Sequence, residues 1–118
     1  MMVATLTGLV GVSGVYDAPP PAAVSPYVVV GGDVVTDWST KTGIGHEHRI
    51  AINVWEAGPG TARAKAVMAG VETAMRGLSG SRDGHAVVLV QLVRTLVLSD
   101  AEDWTQGILE FRVRTIEI

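Results

Sequence analysis

One stretch of the chain has helical periodicity, and strand-like runs lie on both sides of it. In Thr61–Leu78, "TARAKAVMAGVETAMRGL", residues Ala64, Val67, Met68, Val71, Met75 and Leu78 recur at i, i+3, i+4 and i+7, giving one apolar stripe. A lone amphipathic helix must bury that stripe, and the neighbouring segments offer a sheet for it. Gly60-Thr61 precedes it with Thr61 as an N-cap, and Gly77, Gly80 and the turn "SGSRDG" end it.

The neighbours alternate with period two. In "HRIAINVW", Ile50, Ile52 and Val54 share one face, with Arg49, Ala51 and Asn53 on the other. "WTQGILEFRVRTIEI" sets Leu109, Phe111 and Val113 against Glu110, Arg112 and Arg114, which reads as an edge or meander strand with one wet face. "HAVVLVQLVRTLVLS" is apolar on both alternate sets and reads as a central strand, or as one covered by the helix on one side and by a subunit on the other. Earlier, "YVVV" reads as a strand, Gly31-Gly32-Asp33 as a turn, and Val34 as the start of the next strand. Runs of strands broken by one helix give an α+β fold: a mostly antiparallel sheet with one main helix packed on it.

Two segments fall outside that scheme. Asp17–Pro26, residues 17–26, has four of the five prolines and is read as an extended connector lying on the surface or against a neighbour. Before it, residues 1–12 are read as a short N-terminal helix weakened by Gly8 and Gly11. At 118 residues the whole chain, 1–118, is expected to be a single domain.

Between Thr36 and His48 (36–48) the pattern turns polar, and "STKTGIG" supplies a glycine-rich tip. This predicts a long β-hairpin arm projecting from the domain. On it Trp38 stands among Asp37, Ser39, Thr40, Lys41 and Thr42. An aromatic on a polar arm suits a protein interface, and packing across its own hairpin onto Ile44 or His48 is the alternative.

His46 and His48, two apart on a strand, point to one side, where two imidazoles would chelate a transition metal. His85 would add a third ligand only if the fold brings it close. Structural zinc sites demand more donors than the pair supplies, so no metal and no cofactor are expected. "GPGTARAK" suits an anion at a helix start with Lys65 nearby, but it lacks phosphate-loop spacing and reads as a plain strand-to-helix turn. Asp33 with Asp37, and Asp100 with Asp103, lie in turns where aspartate serves its own backbone. No nucleophile, base and orienting group recur in a catalytic arrangement, and the expectation is no enzyme.

Zero cysteines exclude disulfides and thiolate chemistry. A formal charge of −3 with scattered basic residues gives no nucleic-acid footprint. No apolar run approaches the roughly 20 residues of a membrane span, so the expectation is no membrane and synthesis in the cytoplasm.

The ordered features "VYD" with its prolines, "PYVVV", "TDWSTKTG", "EHRIAINVW", the helix after "GPG", and "DWTQGILEFRVRT" resemble the tail completion, or tail terminator, proteins. These belong to long-tailed bacteriophages and to the gene transfer agents of alphaproteobacteria. The likeness covers Val15 to Ile118; family members tend to carry a longer N-terminal helix. It implies a structural virion protein at the head-proximal end of the tail, a homo-oligomer forming a hexameric ring. Its implied partners are the tail tube protein and a head-tail connector or stopper protein, with DNA only as cargo through the lumen. On that reading Trp38, Ser39, Thr40, Lys41, Thr42, His46 and His48 form a subunit or tube interface. The alternatives are a neighbouring neck component, such as a stopper, and a small histidine-based metal-binding protein.

Overall fold

A computed structural model describes residues 14–16, 26–58, 60–78, 81–82, 84–99 and 104–118. The elements run β1 (Gly14–Tyr16), β2 (Tyr27–Asp37), β3 (Gly45–Ala57), α1 (Ala62–Arg76), β4 (Ser81–Arg82), β5 (His85–Ser99) and β6 (Trp104–Glu117). They form one six-stranded sheet in the order β1-β2-β3-β6-β5-β4, antiparallel except for the parallel β1–β2 pair. The expected N-terminal helix, and the proline-rich connector apart from Pro26, lie outside the described residues.

The helix stripe is buried as its period predicts: Ala64, Val67, Met68, Val71, Met75 and Leu78 all leave solvent. It covers Val28, Ile50, Ile52, Val54, Leu109, Phe111 and Val113 of the sheet, and this layer is the core. Gly107 makes the close approach possible. It pairs with Val54 in the register, and a Cβ there would overlap the Met68 thioether. Thr61 stands at the N-cap without a side-chain cap bond, while its carbonyl accepts from Lys65 N–H at 2.9 Å.

Three assignments change. Gly31-Gly32 is not a turn: β2 runs unbroken through it, with a register shift between Val30 and Asp33. Glycine fits because a Cβ on Gly31 would come within 2.9 Å of the Ala51 carbonyl oxygen.

Of the two readings of β6 the edge is excluded: it is zipped to β3 on one side and, as a meander would have it, to its predecessor β5 on the other. Its wet face is as expected. β5 is accordingly not central, since β4 pairs with it only at Ser81↔Ala86 and Arg82↔His85.

The doubly apolar pattern of β5 has a local cause. Two bulges, at Val87/Leu89 and Leu92/Arg94, each shift the alternation by one residue. Val87, Val90, Leu92 and Val97 therefore all pack toward the core, whereas Val88 and Val93 are 46% and 40% exposed.

The helix is shorter than the sheet. At about 1.5 Å per residue, the 15 residues of α1 span roughly 22 Å. At about 3.3 Å per residue, the 13 residues of β3 span roughly 43 Å. One end of the sheet thus runs past the helix, and the molecule measures 52 × 24 × 22 Å. Within it the β3 limb of the expected arm pairs with β6 as far as Gly45↔Ile116. The hairpin is long, but only the turn joining its two strands leaves the sheet. Among the described residues no helix is long and apolar enough to cross a membrane.

Candidate assembly surface

The turn between β2 and β3 is stitched by its own polar groups. Trp38 N–H donates to the Gly45 carbonyl at 2.9 Å, and Thr40 N–H donates to that of Gly43 at 2.9 Å. The Ser39 hydroxyl accepts from Gly45 N–H at 3.1 Å, and the Asp37 carboxylate accepts from Ser39 N–H at 3.3 Å. Thr42 N–H donates to the Thr40 hydroxyl at 3.4 Å. Lys41 is exposed at the tip. The polar residues that marked this stretch in the sequence hold the turn in shape.

Trp38 is half-buried and lies against its own sheet. The Arg114 guanidinium carbon stands 4.8 Å from the ring centroid, and a Cβ on Gly45 would come within 3.2 Å of Trp38 Cε3. Trp38 thus packs on its own chain, across the hairpin onto Gly45 and beyond β3 onto Arg114 of β6.

The sheet face turned away from α1 has no layer of the described chain packed on it. Alternation places Glu47 and Arg49 of β3, and Glu110, Arg112 and Arg114 of β6, on this face. Glu47 receives Arg114 at 3.0 Å and Arg112 at 3.2 Å; Glu110 receives Arg94 at 2.8 Å and Arg49 at 3.3 Å. Each carboxyl is held below its ordinary titration range, Glu47 chiefly by the Arg114 hydrogen bond and Glu110 chiefly by that of Arg94. Two glutamates serve four arginines, which leaves the patch with a cationic surplus. Toward the other end the face becomes apolar, with Trp55, Leu98 and Trp104 lining a shallow depression. Arginine and tryptophan on an uncovered sheet are the residue types that protein interfaces favour.

The opposite side of the same sheet end carries histidines and acids. His46 and His48 do point to one side, their rings 6.4 Å apart, and the fold does bring His85 close, 5.8 Å from His46. His48 Nδ1 meets the Asp33 carboxylate at 2.9 Å. Glu117 joins His46 and His85, their potential ligand atoms all lying within 4.8 Å of one another.

The helix start holds a carboxylate of its own. Glu56, buried beside it, takes the Arg63 guanidinium at 3.2 Å. Asp33 and Asp37 are engaged by His48 and Ser39, while Asp100 and Asp103 lie outside the described residues.

Over residues 1–116 the chain matches the family described as Tail completion protein gp17. The chain belongs to the tail completion family. A chain in the solved virion of a native gene transfer agent particle has a similar fold, with a TM-score of 0.78. The two are 33% identical, with 97% of this chain and 84% of that chain covered. No curated protein sequence matches. Membership gives this chain a structural place in a phage-type tail, within the virion.

Sequence reasoning singled out the turn and missed the network beside it. Glu47, Arg94, Glu110 and Arg112 are each ordinary polar strand residues. They become a cluster only through the pairing Glu47↔Arg114, Arg49↔Arg112 and Arg94↔Glu110. A signal existed in the opposite charges of β3 and β6, but it needed the knowledge that these two strands are neighbours. Glu117 was missed for the same reason, since only the register sets it across from His85.

Proposed function

We propose that this tail completion protein acts as a single domain over residues 1–118. Six copies would close into a ring that terminates the tail tube at its head-proximal end and joins it to the head connector, with DNA passing through the lumen. The observation that carries this reading is a difference in charge between the two faces of the sheet. One face bears Arg49, Arg94, Arg112 and Arg114 against only two glutamates; the other bears Asp33, Asp37 and Glu117.

A ring needs head-to-tail contacts, in which each subunit offers two different surfaces to its neighbours. Oppositely charged faces on one slab meet that need. The cationic surplus of one subunit would meet the acids of the next, with Trp38 beside Arg114 at the rim. Ser39, Thr40, Lys41, Thr42, His46 and His48 would complete the contact with a neighbour or the tube ring. The chain's net charge of −3 suits a conduit that does not retain DNA.

Native mass spectrometry of the chain, alone and with its tail tube protein, is expected to show a six-subunit species. Monomer in both samples would overturn the ring. Electron microscopy of particles lacking the protein separates terminator from stopper. Tails of irregular or excess length support the terminator, and unattached tails of normal length would assign the chain to the stopper position.

A further inference from the structure

We infer that His46, His85 and Glu117 form a binding site for a divalent transition-metal ion, with Zn²⁺ the best suited. They come from the starts of β3 and β5 and the end of β6. Register makes His85 and Glu117 direct cross-strand partners, and it places His46 opposite Thr115, one step along the same face. Both sides of the β6 end are tied down: Glu117 N–H donates to the Ile44 carbonyl at 2.8 Å, and Ile118 N–H donates to that of Gly84 at 2.9 Å. The backbone that carries the three donors is therefore fixed before any ion arrives.

The ligand atoms lie within 4.8 Å of one another. Tetrahedral zinc with bonds of about 2.0–2.1 Å sets its ligands roughly 3.4 Å apart. Rotation of the exposed Glu117 side chain and of the half-buried imidazoles would close that difference. His85 Nδ1 and Thr115 Oγ1 are both buried with no hydrogen-bond partner, on the same stretch of sheet. A buried polar atom left unpaired is costly, and a bound ion with its water would satisfy groups the protein leaves open.

Two imidazoles and a carboxylate are a donor set for borderline metals, whereas Mg²⁺ and Ca²⁺ want oxygen alone. Three protein ligands leave a fourth position for water or a neighbouring chain. His48 stands outside the group whose ligand atoms converge, with its Nδ1 on Asp33. The ion would clip together three strand ends where the helix no longer covers the sheet. This departs from the expectation of no metal; the ion would occupy His46 and Glu117, which the proposed ring contact also uses, and binding to the isolated chain is the readout that separates the two.

Zn²⁺ titrated into the untagged full chain, followed by calorimetry, is expected to bind one ion per chain and raise Tm, with Mg²⁺ doing neither. His85→Ala and Glu117→Gln should each weaken Zn²⁺ binding at least about tenfold, and His48→Ala should leave it within about twofold. No saturable binding, or binding unaffected by both ligand substitutions, would overturn the site. Should those variants fail to fold, the visible spectrum of Co²⁺ on the unaltered chain decides. Intense tetrahedral bands uphold the site, and the weak spectrum of the hydrated ion overturns it.

Discussion

Trp38 shows how much one residue's neighbours matter. Its sequence surroundings are polar, so in one dimension it looks like an aromatic stranded on an arm. In the folded sheet it rests beside Arg114 and over Gly45, and Arg114 is in turn held by Glu47. An exposed cation–π contact of this kind contributes about 0.5–1 kcal/mol. Trp38→Ala should therefore cost the isolated chain on the order of 1 kcal/mol by urea denaturation, a Tm loss of only a few degrees, while removing the six-subunit species. A loss of several kcal/mol would instead make Trp38 a core residue. Gly45 is the stricter position. A Cβ there would approach the backbone oxygens of Trp38 and Thr115 at 2.8 and 3.1 Å, and backbone in a paired sheet yields little. Gly45→Ala is expected to destabilise by about 1–3 kcal/mol, the usual cost of overpacking, measured the same way.

At the scale of elements, the helix and the two strands beneath it were legible because their periods are unbroken. Every residue of the α1 stripe, and Ile50, Ile52, Val54, Leu109, Phe111 and Val113, lies on the predicted face. What misled was irregularity. A bulge in β2 resembles a turn when its residues are Gly31-Gly32, and two bulges in β5 make a half-wet strand look apolar on both sides. Bulges leave no local signature beyond a slipped phase, so the strand order built on them slipped too. Leu92→Asp should cost more than about 2 kcal/mol, because the half-buried side chain packs on the core, while its neighbour Val93→Asp should change stability by less than about 0.5 kcal/mol, both measured by urea denaturation. The charged face of β3 and β6 also acts as an element. Glu47 and Glu110 have folded-state pKa values below those of the unfolded chain. Depressed carboxylates stabilise above the unfolded glutamate value of about 4.3, and that contribution is lost as pH falls through the lower folded values. Urea midpoints should thus drop on acidification below about pH 4.3, and more shallowly in Glu47→Gln and Glu110→Gln.

For the whole molecule, the helix covers only part of one face of a long sheet, and the sheet offers a cationic face on one side and acids on the other. If six copies assemble through these faces, the contact is largely electrostatic and partly exposed to solvent, so salt should weaken it. The screening length falls from about 10 Å at 0.1 M to about 3 Å at 1 M ionic strength. Sedimentation velocity across that range is expected to show the six-subunit species giving way to monomer, with the monomer's own urea midpoint barely moving. The apolar end of the same face makes the opposite prediction. Burial of Trp55, Leu98 and Trp104 would hold the ring together at least as well in 1 M sodium sulfate as at low salt, since excluded salts strengthen apolar contacts. A ring that persists or grows in sulfate would move the subunit contact from the arginine network to the tryptophan end. Arg114 and Trp38 would then face the tail tube instead of the neighbouring subunit, and charge would govern docking of the ring on the tube while apolar burial closed the ring itself.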